Sequence, residues 1–488
     1  MFDWSILTLI IAVLAVAIDF VVRVFSIILI PRNRRPQTAT AWLLAIFFLP
    51  YIGIILFWLI GNRYLPKKRR EKQREVNQFI RETTEGMDLV RRDRTWPEWL
   101  DPIVALNRNL GAMPIVGGNR ATLHDNYEES LISMTSALRR ASRYIHVEFY
   151  ILNLDTTTAP FFDELEAAVN RGVKVRVLLD HIACLRSSNY RGTLKRLTQL
   201  GADWHLMLPV QPLRGKFQRP DLRNHRKILI LDGEVAYTGS QNVIDSSYDK
   251  RSNIRRGLHW KDLMVRFEGP IVAGIHALFV TDWYTETDEL LVREVEPITI
   301  GHGPELLDAQ VVPSGPGFDG ENNLRMFNSL IYAAQKQIII TTPYFVPDES
   351  LYYAITAAAQ SGIDVQLFMS EIGDQAVTFH AQRSYYEGLL RAGVHIWLYR
   401  APTILHAKHM TIDDQVAVIG SSNMDMRSFS LDLEISVMIK GSQFVRSLRH
   451  VEDSYRLAAR ELTLDEWMRQ PLRSKILDNI ARLTSAVQ

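Results

Sequence analysis

The 488-residue sequence is short of cysteine: Cys184 is the only one. That excludes an intrachain disulfide and suits a reducing compartment. Cys184 follows an apolar run and reads as a small buried residue rather than a reactive one. Charge imbalance is lacking too. Lys+Arg number 56 against 54 Asp+Glu, a formal net charge of +2, so the chain as a whole has no polyelectrolyte-binding character. Near the N-terminus there is Asp3 but no lysine or arginine before Arg23. With no small-residue cleavage site before the second apolar run, a cleaved signal peptide is not expected.

Charge is missing altogether from Ala41 to Ile60, 20 residues that suffice to cross a hydrocarbon core of about 30 Å. Pro50 and Gly53 within this run are tolerated in membrane helices. Leu7 to Ile30 is equally apolar apart from Asp19 and Arg23, whose i, i+4 spacing lets them pair on one helix face. Residues 1–62 therefore read as two transmembrane helices forming a hairpin. Arg32, Arg34 and Arg35 occupy the short loop, and Arg63, Lys67, Lys68, Arg69, Arg70, Lys72 and Arg74 follow the second span. The richer flank places the large domain in the cytoplasm of a multi-pass cell-membrane protein. Residues 63–120 read as a basic juxtamembrane linker that attracts anionic headgroups.

From about residue 125 the pattern becomes α/β and then repeats. Tyr144–Tyr150 reads as a strand; a helical stretch, Gly172, and the strand Val173–Leu179 follow. The second half has the same order: Ile338–Ile340, a helix over Ser350–Gln360, Gly362, and the strand Ile363–Met369. Gly201 and Gly393 keep nearly the same offset. So long a period means two similar mixed α/β domains rather than a solenoid. They are assigned to residues 121–300 and 301–488, the latter ending in a helical tail. That tail carries Trp467, Arg469, Arg473, Lys475 and Arg482 among Leu and Ile; the pattern is that of an interfacial amphipathic helix or of one packed on the domain, and packing is the expectation.

The repeat carries chemistry. His225, Lys227, Asp232, Gly239, Ser240 and Asn242 form H-x-K-x4-D-x6-G-S-x-N, and His406, Lys408, Asp413, Gly420, Ser421 and Asn423 repeat it 181 residues on with unchanged spacing. In a strand, His225 and Lys227 share one face while Ile228 and Ile230 turn to the core. Asp232-Gly233 signals a hairpin. Gly239 permits close backbone approach, and Ser240, Asn242, Ser421 and Asn423 offer neutral donors to phosphate oxygens. Two imidazoles and two ammoniums suit a phosphodiester: one histidine attacks phosphorus, and the other protonates the leaving oxygen and then deprotonates the acceptor. No metal or other cofactor is called for, because the lysines supply positive charge and sit beside each potential ligand. Each imidazole needs an acceptor on its second nitrogen, and the candidates downstream of the motifs are Asp262 after His225 and Glu434 after His406. Asp232 and Asp413 join the catalytic set by motif, although a turn position fits a structural role at least as well.

The doubled motif is that of the phospholipase D superfamily. Over nearly its whole length the chain most resembles the bacterial cardiolipin synthases, through the N-terminal hydrophobic hairpin, Ala236–Ser240, Asp262-Leu263-Met264, Phe267–Pro270, Ser314–Gly317, Thr341–Pro347 and Asn423–Ser428. The resemblance implies two phospholipase D-like domains related by a pseudo-twofold axis. It also implies conversion of two phosphatidylglycerols into cardiolipin and glycerol through a phosphatidyl-histidine, with His225 as nucleophile and His406 as acid/base. The basic loop Arg214, Lys216, Arg219, Arg223 and Arg226, and the cluster Lys250, Arg251, Arg255 and Arg256, read as docking sites for anionic lipid. The alternatives are hydrolysis to phosphatidic acid and, less in keeping with two apolar spans and a nearly neutral chain, a membrane-tethered nuclease; nucleic acid is not an expected partner.

Overall fold

A computed structural model describes residues 4–32, 34, 36–61, 64–86, 90, 96–291, 306–318 and 320–483. The chain divides into two compact units, Met1–Tyr64 and Leu65–Gln488. The expected boundary between repeats at 300/301 lies outside the described residues, as do Arg35 and Arg63 of the basic flanks.

In the first unit, Trp4–Leu29 forms one helix, and its segment Thr8–Leu29 has a mean hydropathy of 2.5 and is long and apolar enough to cross a membrane. Asp19 and Arg23 pair as their spacing predicts, at 2.7 Å. The uncharged run expected to make a second single span instead divides between the helices Pro36–Phe48 and Pro50–Ile60. Pro50 has no N–H for the ladder, and its ring crowds the carbonyl four residues back. Gly53 lets the chain close up at this break: a Cβ there would lie 2.8 Å from Ile46 Cα. Arg34 ties the unit together by donating to the carbonyls of Ile30 and Gly61, at 2.9 and 3.2 Å.

In the second unit the first repeat supplies strands β1 Ile115–His124, β2 Tyr144–Phe149, β3 Lys174–Asp180, β4 Asp203–Met207, β5 Lys227–Leu231, β6 Val235–Gly239 and β7 Met264–Glu268. The second supplies β8 Leu307–Ser314, β9 Gln337–Thr341, β10 Asp364–Ser370, β11 His395–Tyr399, β12 His409–Ile412, β13 Val416–Gly420 and β14 Asp432–Lys440, and is extended by β15 Ala459–Leu462. All belong to one sheet, in the order β15-β11-β10-β9-β12-β13-β14-β8-β1-β7-β6-β5-β2-β3-β4. Read outward from the antiparallel β1–β8 seam, the two halves have the same strand order. The duplicated mixed α/β fold is thus two halves of one continuous sheet. β1 begins inside the stretch read as linker, because its edge completes that seam.

Helical crossovers make β2, β3 and β4 parallel, and likewise β9, β10 and β11. The crossover helices end on Gly172, Gly201, Gly362 and Gly393 at φ between 85° and 94°. The left-handed cap that glycine provides accounts for the recurring offset in the sequence. On one face, the helices Ile271–Thr287 and Ser442–Ala458 share a single core with Ile228, Ile230, Val311, Ile419 and Val437, so this core runs across the seam. The opposite face carries separate cores for the two halves. Cys184 is buried in one of them, and burial pushes its thiol up to about 12.

The juxtamembrane stretch includes the helix Lys67–Thr83, whose Val76 and Ile80 join the shared core. Arg69 holds Glu286 through two bonds of 2.7 Å, and Lys72 donates to Tyr284 O at 2.6 Å. Part of the basic run expected at lipid headgroups is therefore committed to the domain. The tail packs as expected, burying Trp467, Asp478 and Ala481.

Candidate active site

Lys227 pairs with Phe149, and His409 with Thr341. Both His–Lys pairs thus sit at the carboxyl edge of the parallel strands, where loops leave the sheet. Two short parallel ladders stitch the halves together there. Arg223-Asn224 runs beside Asp432-Leu433, and His259–Lys261 beside Thr403–Leu405. They place His225 N on Leu433 O at 2.9 Å and His406 N on Lys261 O at 2.8 Å.

The consequence is a crossed pairing. His225 Nδ1 lies 3.0 and 3.2 Å from the two oxygens of Glu434, and His406 Nδ1 lies 2.7 Å from Asp262 Oδ1. Each imidazole takes its acceptor from the other half, not from the carboxylate downstream of its own motif. A neutral ring that donates from Nδ1 keeps its unshared pair on Nε2, the tautomer a nucleophile or base requires. The lysines lie alongside: Lys227 Nζ donates to His225 O at 2.5 Å, and Lys408 Nζ to His406 O at 2.7 Å. The halves differ in one contact, because Lys408 Nζ also lies 3.1 Å from His406 Nε2.

The serine hydroxyls, expected at a phosphate, are turned to the carboxylates. Ser240 Oγ donates to Asp262 Oδ1 at 2.6 Å, and Ser421 Oγ donates to Glu434 Oε2. A hydroxyl has one proton, and here it steadies the carboxylate that orients a histidine. Asn242 is committed as well: its amide donates to Tyr248 Oη at 2.9 Å and accepts from Ile151 N at 3.2 Å. Asn423 differs: its side-chain amide makes no hydrogen bond among the described residues, which leaves its Nδ2 group, the only side-chain donor it has, free.

Asp232 and Asp413 lie at the hairpin turns, away from the His–Lys pairs. Five residues of strand, roughly 16 Å, separate Asp232 from Lys227. Asp232 accepts from the backbone N–H groups of Ser142, Arg143 and Tyr144 at 2.8–2.9 Å. Asp413 does the same for Gln335, Lys336 and Gln337 at 2.7–2.8 Å. At φ of 55° and 50° they turn the hairpins and pin the start of β2 and β9.

Burial governs the electrostatics. It pulls the His225 imidazole down to about 4 against the opposing charge of Glu434, and lowers His406 likewise against Asp262. It also depresses Lys227 to about 7 and Lys408 to about 8, although the site carboxylates favour the ammonium. For Asp262, burial opposes ionisation but is outweighed by His406, Lys408 and the Ser240 hydroxyl, which hold it at about 2. Glu434 is lowered in the same way by His225, Lys227 and Ser421. The resting site therefore pairs ionised carboxylates with neutral imidazoles.

Comparison with known proteins matches this arrangement. The family described as "Cardiolipin synthase, PLD-like domain" covers residues 134–267 and 327–453, one copy on each repeat, and "Phospholipase_D-nuclease N-terminal" covers 20–62. Cardiolipin synthase A of Proteus mirabilis (strain HI4320) is 32% identical over 92% of both chains. The chain belongs to the cardiolipin synthase family. Cardiolipin synthase A of Serratia proteamaculans (strain 568) is 31% identical, again over 92% of each chain. Among solved structures, phosphatidylserine synthase of Haemophilus influenzae Rd KW20 shares the fold, with a TM-score of 0.60 at 15% identity over 79% of this chain and 99% of that one.

In this member of the cardiolipin synthase family, residues that motif reading passes over complete the site. The Tyr150 ring meets His225 edge-on with centroids 4.7 Å apart, and Lys227 Nζ lies 5.2 Å from that ring. Tyr248 and Tyr344 each stand 6.4 Å from the His406 ring. Their aromatic character was readable in the sequence, but no spacing tied them to the motifs. The basic loop before His225 is largely internal: Arg219 pairs with Asp221, Arg223 with Asp180 and Arg226 with Asp282. The side chains of Arg214 and Lys216 lie outside those described. Lys250, Arg251, Arg255 and Arg256 are exposed, as a headgroup contact requires.

Proposed function

We propose that this chain is a cardiolipin synthase, a phosphatidyltransferase that moves a phosphatidyl group from one phosphatidylglycerol to another and releases glycerol. The observation that carries the mechanism is the crossed pair of histidine–carboxylate dyads, each beside a buried lysine. His225 Nε2 attacks phosphorus, the P–O bond to glycerol breaks, and the Lys408 ammonium, 3.1 Å from His406 Nε2, passes a proton to that nitrogen, which gives it to the glycerol oxygen. The hydroxyl of a second phosphatidylglycerol then gives its proton to His406 and attacks phosphorus. The P–N bond breaks, His406 returns the proton to Lys408, and both histidines are neutral again. The order of roles is supported by Lys408: an ammonium on His406 Nε2 blunts it as a nucleophile and suits it to proton traffic. Lys227, Lys408 and Asn423 face the phosphate charge.

The substrates are phospholipids in a membrane, and with its apolar Thr8–Leu29 helix the chain is a membrane protein. We infer a multi-pass arrangement with the enzyme unit in the cytoplasm, an orientation that the basic residues after Ile60 support. Detergent-purified protein given labelled phosphatidylglycerol alone, with products resolved by mass, tests the reading. Cardiolipin and glycerol in equal amounts are expected, whereas phosphatidic acid as the main product would make water the acceptor and overturn the synthase assignment.

A further inference from the structure

The tail helix Leu472–Arg482 is amphipathic in the inverted sense. Its polar side faces the protein: buried Asp478 accepts from the His380 ring at 2.6 Å and from Arg383 at 3.2 Å, and Arg383 also donates to Ser474 Oγ at 2.9 Å. Its apolar side faces away. Leu472, Ile476, Ile480 and Leu483 fall on one stripe at helical spacing and are 73, 48, 57 and 84% exposed. A helix covered only by water turns such a stripe inward, so this exposed one marks a surface suited to an apolar partner. Exposed Arg469 and Arg473 flank the stripe and make the surface complementary to negative headgroups. The helix is fixed to Ala376–Arg383, whose Phe379 and Gln382 line a small pocket with Tyr344, the ring beside His406. The exposed Val377 is on that same short helix.

We propose that the Leu472–Arg482 helix is a membrane-docking element, lying in the headgroup–acyl boundary of an anionic bilayer and setting the Tyr344 side of the cleft at the lipid surface. Its link to substrate supply rests on the lipid-transferase reading; the docking itself does not. The occupant is the bilayer rather than a second copy, because arginines border the stripe and the chain carries a helix long and apolar enough to cross a membrane.

The test uses the full chain in phosphatidylglycerol–phosphatidylcholine vesicles, with an environment-sensitive fluorophore on Ile480→Cys and, as control, on Lys174→Cys, on the strand next to β4 in the other half of the sheet. Quenching of the first label by a nitroxide high on the lipid acyl chain, with the control label quenched only by aqueous iodide, is expected. Iodide quenching of both labels overturns the proposal. Shielding of the first label that disappears as the protein is diluted in the vesicles also overturns it, in favour of a second copy. This readout needs no turnover, so it stands or falls apart from the enzymatic assignment. In parallel, Ile476→Ser/Ile480→Ser is expected to lower the ratio of turnover on vesicles to turnover on dispersed short-chain phosphatidylglycerol by about tenfold, and an unchanged ratio counts against docking.

Discussion

At the scale of single residues, the candidate site is built on shared carboxylates: Glu434 accepts from His225 and Ser421, and Asp262 from His406 and Ser240. Glu434→Gln and Asp262→Asn retain shape but present an amide to the imidazole Nδ1, so each is expected to lower kcat by roughly 10²–10⁴-fold with near-native stability. Activity above a tenth of wild type in either would remove the dyad from the mechanism. Asp232→Ala is expected to do the reverse, costing roughly 2–4 kcal/mol of stability through three orphaned N–H groups while kcat of the folded fraction stays within about threefold. Paired measurements of melting temperature and kcat on the two classes of variant separate them. The lysines set the pH response. As Lys227 and Lys408 lose their protons near about 7 and about 8, kcat/KM is expected to fall on the alkaline side. A bound phosphate favours both ammoniums, so the corresponding limb of kcat lies at higher pH. Both lysines hold protons more weakly folded than unfolded, so their contribution to stability rises with pH from those values toward the ordinary lysine range.

At the scale of elements, close strand approach decides where glycine is required. A Cβ on Gly239 would lie 2.3 Å from Leu263 O, and one on Gly420 2.1 Å from Ile435 O. Gly239→Ala and Gly420→Ala are therefore expected to push apart the strands bearing Ser240 and Asp262, or Ser421 and Glu434. Loss of both thermal stability and turnover is the expected result, and a fully active, equally stable variant would show that the sheet gives way. The Gly-Ser pair was legible in the sequence as a place of close backbone approach, and so was the alternation that buries Ile228 and Ile230 opposite Lys227. What was not legible is which carboxylate serves which histidine. Asp262 and Glu434 sit in similar surroundings downstream of similar motifs, and the swap depends on the two-residue ladder Arg223-Asn224 against Asp432-Leu433 and its counterpart His259–Lys261 against Thr403–Leu405. Elements that short leave no periodic trace. The break at Pro50 was in plain view, but membrane tolerance of proline favoured one uninterrupted helix there.

At the scale of the molecule, the constant offset of glycines and histidines exposed the duplication. The fusion of both copies into one sheet did not follow, since an edge strand carries no mark of the edge it will meet. Because one core runs beneath the β1–β8 seam, residues from 65 onward are expected to unfold in a single calorimetric transition, with Phe279→Ala lowering that transition as a whole; two separable transitions would show independent halves. The crossed dyads also bear on how the protein is made. The carboxylate paired with His225 lies 209 residues further along the chain, on a strand that enters the sheet only after most of the polypeptide has been synthesised. A chain that has not yet reached Glu434, or one that ends between the repeats, holds His225 without its acceptor. On the proposed mechanism this is a built-in safety catch: beside a membrane made of its own substrate, the nucleophile is not armed until translation is nearly finished.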